Sequence, residues 1–393
     1  MRIMHISTRL ILGGSQENTV LSCEGQAALG HDVSLVFGPI YGPEGSLFDR
    51  VKHFRAANGK SIETIETPNL VRELHPIKDG RCYFDLRKLI RRWKPDVVHT
   101  HSSKAGILGR KAAWDERVKC VVHTIHGPPF HKYEKKWRNT VYIASERYAA
   151  KKCHKIICVA DAMREQFLAA RIGRPEQYVT VRSGMEIETF ANPQWYRNDV
   201  RRELKLAQGD FVAGTVARLA EHKGHDDLLD ALGTFMQANQ QLILLWVGDG
   251  WWRERLLNRV KQLKLEDRVV TTGLVPPEEI PKFMQAMDVL IHPSYREGLP
   301  RTVTQAVLSG IPAIAYDEDG TREVCIVRQT GILLKTGDRD RLREAVQWMM
   351  EHPRERAEMG LRGREMCREQ FASSTMVADL QRVYESVLGA AKP

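Results

Sequence analysis

No apolar run in the 393 residues approaches the roughly 20 needed to carry a helix across a bilayer, so a chain that spans the membrane is not expected. The opening Met1-Arg-Ile-Met-His-Ile lacks the order of a secretory leader and reads directly as a strand. Paired cysteines are also missing. The seven present (Cys23, Cys82, Cys120, Cys153, Cys158, Cys325 and Cys367) form no CxxC, and an odd, scattered set without a leader reads as reduced thiols in the cytoplasm. Cys153 and Cys158 flank His154, but no second pair completes a zinc set, and the segment reads as a helix end followed by a buried strand. Low-complexity tracts and short repeats are absent as well.

Neither half carries a sizeable excess of acid, and an excess of base is confined to one half. Residues 1–195 hold 31 Lys and Arg against 20 Asp and Glu, whereas residues 196–393 hold 28 against 29, so the whole net charge of +10 lies in the first half. Such a half implies an anionic partner: a lipid surface, a nucleic acid or an acidic substrate. The basic runs contain no recognisable nucleic-acid module, which argues against the second.

Short apolar runs alternate with amphipathic stretches along the entire chain. Strands are expected at 2–6, 32–37, 62–65, 96–100, 119–124 and 155–159, with helices at 15–29, 44–57, 83–93, 103–114 and 134–151. The second half repeats the rhythm, with strands near 211–216, 242–247, 268–272, 288–292, 311–315 and 332–334. Its helices fall near 225–237, 251–264, 277–286, 301–309 and 338–351. This pattern predicts an α/β chain of two doubly wound, Rossmann-like parallel sheets. The connector is expected at 184–198, with domains at 1–187 and 188–375.

Two segments of the second half carry the strongest chemistry. Gly214 to Gly224 reads Gly-Thr-Val-Ala-Arg-Leu-Ala-Glu-His-Lys-Gly, which places Arg218 and Lys223 in the loop after an apolar strand. Fixed cations there suit a diphosphate, Arg as a planar fork and Lys as a compact charge. Ser294 to Ala306 reads Ser-Tyr-Arg-Glu-Gly-Leu-Pro-Arg-Thr-Val-Thr-Gln-Ala, a loop entering a helix whose first N–H groups and dipole favour an anion. In the first half, Gly13-Gly14 occupies the first strand-to-helix turn, where glycine permits positive φ and close approach to a ligand. His126 ends a strand, as do His99 and His101. The latter two read equally as lining of an acceptor pocket or as structural hydrogen-bonding groups. A His-x-His metal site shows no third ligand in sequence.

The order Arg-Leu-x3-Lys-Gly, Val-Gly-Asp-Gly, Asp-Arg-Val-x3-Gly and Pro-Ser-x2-Glu-Gly, spanning 218–298, resembles the retaining family-4 glycosyltransferases of GT-B fold. His5-Ile-Ser-Thr-Arg-Leu with Gly13-Gly14, Pro95-Asp-Val-Val-His-Thr-His-Ser-Ser-Lys-Ala-Gly and His123-Thr-Ile-His-Gly extend the resemblance over nearly the whole length. The first-half motifs are especially similar to members that assemble bacterial lipid-linked polysaccharides. The resemblance implies two domains facing a cleft: an acceptor-binding domain at 1–187, a nucleotide-sugar-binding domain at 188–375, and a final helix (376–393) that crosses back to the first. It further implies that Arg218 and Lys223 hold the donor diphosphate, that Glu297 accepts hydrogen bonds from donor-sugar hydroxyls, and that His126 touches the sugar near the reacting centre. Gly13, Gly14, Gly298, Leu299, Thr302, Val303 and Gln305 fall on donor-binding positions. Gln305 stands where the family usually has Glu, and Leu299-Pro300 replaces Phe-Gly, so ribose and sugar contacts are expected to differ.

Asp317-Glu-Asp319 mimics a metal-binding Asp-x-Asp, but similar sequences use this segment as a loop beside the donor site. No cofactor and no metal are expected, because the two cations already neutralise the diphosphate. Around the helix expected at 134–151, Lys132, Lys135, Lys136 and Arg138 surround Trp137, Val141 and Tyr148 at helical spacing. This reads either as a basic amphipathic helix on an anionic membrane or as a surface helix with its aromatics turned inward. The charge split and the Arg87-Lys88…Arg91-Arg92-Trp93-Lys94 run favour the membrane. The expectation is a retaining, metal-independent hexosyl- or N-acetylhexosaminyltransferase on the inner face of a bacterial membrane. It would move sugar from a UDP- or GDP-sugar to a polyprenyl-diphosphate-linked acceptor, His101 lining the acceptor pocket. A soluble-acceptor transferase, a nucleotide-sugar epimerase and a non-catalytic nucleotide-sugar binder are the alternatives.

Overall fold

The computed structural model describes residues 1–41 and 45–390, so residue 44 of the helix expected at 44–57 and residues 391–393 of the expected final segment lie outside the described residues. The chain divides into two compact units, one formed by Met1–Met185 with the stretch from Ser373 onward and the other by Glu186–Ala372.

The first unit is built on seven strands: β1 (Arg2–Ser7), β2 (Asp32–Phe37), β3 (Ile62–Glu66), β4 (Val97–His101), β5 (Cys120–Ile125), β6 (Lys155–Cys158) and β7 (Tyr178–Thr180). Their order is β3-β2-β1-β4-β5-β6-β7. Every pairing is parallel. Apolar residues fill these strands without strict alternation because both faces are covered. Met4, Ile6, Val98 and Val121 face one layer of helices, where Leu86, Ile90 and Ala112 meet them. Ile3, Val97, Cys120 and Val122 face the other way, onto Met376, Val377, Leu380 and Tyr384 of helix Ser373–Ala390.

The second unit contains β8 (Phe211–Val216), β9 (Leu242–Val247), β10 (Val269–Gly273), β11 (Val289–His292), β12 (Ala313–Tyr316) and β13 (Gly331–Leu334). These also pair in parallel, in the order β10-β9-β8-β11-β12-β13. Each sheet therefore reverses its strand order once, between β1 and β4 in the first unit and between β8 and β11 in the second. In doubly wound sheets this reversal leaves a crevice at the carboxyl ends of the strands, where ligands bind.

Five strands and α-helices differ from the sequence reading by being present at all: β7 and the helices Asp161–Ala169, Ile187–Ala191, Arg197–Glu203 and Pro353–Gln370. In the last, a Cβ at Gly360 would sit 1.9 Å from the Gly310 carbonyl oxygen, so the glycine permits close packing. Helix Pro76–Trp93 begins seven residues earlier than 83, with Pro76 in its first turn and the His75 ring accepting the Lys78 N–H. Among the described residues no helix is long and apolar enough to cross a membrane.

Helix Lys136–Ala150 is pinned from beneath. Glu146 and Arg110 of helix Ser103–Asp115 form an ion pair at 2.7 Å with side-chain exposures of 3% and 1%. Breaking one side strands a buried charge, so Glu146→Ala should lower the unfolding free energy by about 3–5 kcal/mol in a urea titration. The double replacement Arg110→Met/Glu146→Leu should recover most of that loss.

Candidate active site

In the second unit the loops after β8 and β11 meet at the strand-order reversal. The Tyr295 N–H donates to the His222 carbonyl at 2.9 Å, and the Ser294 hydroxyl donates to the same oxygen at 3.2 Å. The β8 loop ends in a single tight turn, Glu221–Lys223, before helix His225–Ala238. Gly224 between them has φ of 72°, and a Cβ there would lie 2.0 Å from the Pro293 carbonyl oxygen. A side chain at this position would push the two loops apart, which explains Lys-Gly as a physical unit.

These loops bring Lys223 and Glu297 into an ion pair, with Lys223 Nζ donating to Glu297 Oε1. His292, at the end of β11, donates from Nε2 to the same oxygen at 3.0 Å. His292 Nδ1 lies 3.3 Å from the Thr302 hydroxyl. Burial alone would raise the Glu297 pKa, but the Lys223 ammonium and the His292 ring outweigh it and hold the carboxyl well below the usual range. Burial followed by Lys223 and Arg296 pushes His222 down to about 4, a second sign of a positive local field. Arg218 lies in the β8 loop with its guanidinium carbon 5.6 Å from the Trp251 ring centroid.

The β11 loop is braced from two sides. The Glu297 N–H donates to Asp319 Oδ2 at 2.9 Å, and the Gly320 N–H donates to the Gly298 carbonyl at 3.0 Å. The buried Asp227 carboxylate accepts the Tyr295 hydroxyl at 2.5 Å and the Tyr316 hydroxyl at 2.8 Å. Asp317 is bound by Arg322 at 2.9 and 2.8 Å, so the Asp317-Glu-Asp319 carboxylates brace loops. Leu299 and Gln305 are buried, and Thr302 and Val303 open helix Arg301–Leu308, whose first N–H groups have no partner within the helix. Sequence reasoning missed His292 and Asp227. A histidine at the carboxyl end of a strand beside the reversal was the available signal for the first; an aspartate inside a helix gave none for the second.

The first unit repeats the arrangement on a smaller scale. The Thr8 and Ser102 hydroxyls are 2.7 Å apart and tie the loops after β1 and β4. Gly13 has φ of 177°, and Gly14 is not among the residues with positive φ, so neither uses the left-handed backbone that glycine permits. His126 Nε2 lies 3.0 Å from His101 Nδ1. His101 itself is 1% exposed, which puts it behind His126, in the interior.

The third histidine that the His99-x-His101 pair lacked in sequence is His5, and the possible ligand atoms of the three lie within 4.8 Å of one another. His99, however, turns one nitrogen to Tyr384 and the other to Thr124, each at 2.6 Å. A three-nitrogen metal set would have to break one of these bonds. All seven cysteines are buried and free, and Cys153 hydrogen-bonds to the Val121 and Lys155 carbonyls.

On helix Lys136–Ala150, Trp137 is 63% exposed, and Val141 and Tyr148 are also exposed. Of the two readings of this helix, inward aromatics are therefore corrected to outward ones. Lys132, Lys135, Lys136 and Arg138 are exposed beside them. The second basic run contributes less than its sequence suggests. Arg87 and Arg91 both bind Glu116, at 2.5 and 2.6 Å, and Trp93 is core.

Known proteins share this architecture and these segments. Residues 12–188 match the family described as Glycosyltransferase Family 4, and residues 197–366 match Glycosyl transferases group 1. A UDP-Gal:alpha-D-GlcNAc-diphosphoundecaprenol alpha-1,3-galactosyltransferase of Escherichia coli is 32% identical over 290 residues, 71% of this chain and 73% of that protein. The capsular polysaccharide biosynthesis glycosyltransferase CapM of Staphylococcus aureus is 22% identical over 86% of this chain and 90% of its own. Among solved structures, Anabaena HepE in complex with UDP and glucose superposes with a TM-score of 0.82 at 19% identity, over 98% of this chain and 100% of that one. With a relative above 30% identity spanning most of its length and both halves matched, the chain belongs to the group 1, family-4 glycosyltransferases of GT-B fold.

Proposed function

We propose that this glycosyltransferase transfers a hexose or N-acetylhexosamine, with retention, from a UDP- or GDP-sugar to a polyprenyl-diphosphate-linked sugar. The observation that carries the reading is the Lys223–Glu297–His292 cluster, with Arg218 in the adjoining loop, at the strand reversal of the second sheet. A preformed carboxylate beside fixed cations matches a ligand that presents hydroxyls at one end and a diphosphate at the other. The lipid-linked acceptor is supported by the E. coli relative, whose name specifies a diphosphoundecaprenol-linked acceptor.

In this reading Glu297 accepts hydrogen bonds from sugar hydroxyls, and Arg218 and Lys223 hold the diphosphate. Gly298, Leu299, Thr302 and Val303 shape the turn and supply helix-start N–H groups, while Gln305 accepts a ribose hydroxyl. In the first unit, Gly13 and Gly14 approach the donor and His126 contacts the transferred sugar. An acceptor hydroxyl oxygen forms the new bond to the anomeric carbon on the face from which the diphosphate departs. The bond from that carbon to the phosphate oxygen breaks, and the departing oxygen takes the hydroxyl proton. Arg218 and Lys223 stabilise the charge that gathers there, and no metal is required.

Docking on an anionic bilayer belongs to the same reading. The exposed Trp137, Val141 and Tyr148 would enter the interface, with Lys132, Lys135, Lys136 and Arg138 against the headgroups and the work done at the cytoplasmic face.

Nucleotide release from a panel of UDP- and GDP-sugars, measured in EDTA with and without bacterial lipid extract, tests the assignment. Release from one donor that rises with lipid is expected; activity restored only by magnesium or manganese would refute the metal-free step. Lys223→Met should lower kcat on the order of a hundredfold, as loss of one preorganised charge does at other sites. In a vesicle sedimentation assay, the triple replacement K132S/K135S/K136S should weaken binding to anionic vesicles about a hundredfold at low salt, at about 1 kcal/mol for each cation.

A further inference from the structure

Two tryptophans stand side by side in the loop after β9, and the fold accounts for only one of them. Trp252 packs against the core of the second unit, with the Arg255 guanidinium carbon 4.2 Å from its ring centroid. Trp251 is 65% exposed and meets the side chain of Arg218 in the loop after β8. An indole is a large, rigid apolar surface, and left in water beside a ligand-binding loop it marks a place where something flat is received.

The backbone fixes Trp251 in that position. The Ala217 N–H donates to the Val247 carbonyl, the Leu219 N–H to the Asp249 carbonyl, and the Trp252 N–H returns to the Leu219 carbonyl, each at 3.1 Å. A Cβ on Gly248 would lie 2.3 Å from the Ala217 carbonyl oxygen, and one on Gly250 would lie 2.3 Å from that of Leu219. Val247-Gly-Asp-Gly250 is therefore a close-approach motif, whose glycines let the β9 loop lie against the loop that carries Arg218 and Lys223. On its other side the Gly248 N–H donates to the Gly273 carbonyl at 3.0 Å, next to Leu274, which is also exposed.

Along the carboxyl edge of the second sheet the loops then follow in a fixed order: β11 with Glu297, β8 with Arg218 and Lys223, β9 with Trp251. A carboxylate is followed by two cations and then by an apolar plate. A nucleotide sugar carries hydroxyls, a diphosphate and a planar heterocycle in the same order. The step from the cations to the indole is one strand spacing, about 4.8 Å, which a single ribose can bridge. We propose that Trp251 is the stacking platform for the base of the nucleotide donor, with Arg218 beside it on the diphosphate. This rests on the reading of Arg218 and Lys223 as the diphosphate grip. Stacking uses the π-face that every base has, and an indole offers a single N–H and no acceptor, so Trp251 supplies affinity without choosing between uracil and guanine.

Titration calorimetry of the full chain with UDP, GDP and inorganic pyrophosphate separates the two ends of the ligand. Trp251→Ala should weaken whichever nucleoside diphosphate the wild type prefers by about tenfold to a hundredfold, the scale of one lost base stack, and leave pyrophosphate within about twofold. Trp251→Phe should recover most of that loss, because a smaller ring still offers a face. The preference between UDP and GDP should be the same in wild type and variant. Lys223→Met, by contrast, should weaken pyrophosphate and nucleotide alike. Trp251 lies outside the core, so Trp251→Ala should unfold at the urea midpoint of wild type.

Unchanged nucleotide affinity in Trp251→Ala overturns the platform. An equal loss for nucleotide and pyrophosphate overturns it too, since the indole would then act only by propping Arg218. A wild type that binds neither UDP nor GDP overturns the donor reading itself, and the platform with it.

Discussion

Parallel strands joined by right-handed crossovers send every carboxyl end to the same edge of the sheet, and most of this protein follows from that constraint. Where successive crossovers change face, two neighbouring strands release their loops in opposite directions and nothing covers the gap between them. The reversal between β8 and β11 places Lys223 and Glu297 side by side although 74 residues separate them in sequence. The reversal between β1 and β4 similarly sets His5 beside His101, 96 residues apart.

The two reversals are furnished with opposite electrostatics. In the second unit the buried carboxylate of Glu297 stays ionised because Lys223 and His292 address it directly. In the first unit His5, His99 and His101 are held below the ordinary histidine value, burial of the ring being the largest cause. One reversal thus holds a fixed charge, and the other a buried cluster of hydrogen-bonded rings.

Much of this was legible in the sequence, because apolar runs of four to six residues at regular spacing leave few alternatives to a doubly wound sheet. Twelve strands follow from that spacing, and β7 escaped it because Tyr178–Thr180 is only three residues long. Arg218, Lys223 and Glu297 were singled out by a family pattern, and the structure sets Lys223 against Glu297. His292 and Asp227 were not, since their roles arise from contacts across 5 and 68 residues that no local pattern encodes. The exposure of Trp137 was undecided in sequence for a related reason. An amphipathic helix has an inner face only once its partner is known, and here the buried Glu146 with its Arg110 partner marks it.

Helix Ser373–Ala390 belongs to the first unit but follows the whole second unit in the chain. During synthesis the seven-stranded sheet must therefore wait, with Ile3, Val97 and Val122 uncovered and Gln26 and His99 short of a partner, until some 190 further residues have left the ribosome. The unit that is made first is the one that finishes last, and its half-built face is the surface that chaperones would have to guard.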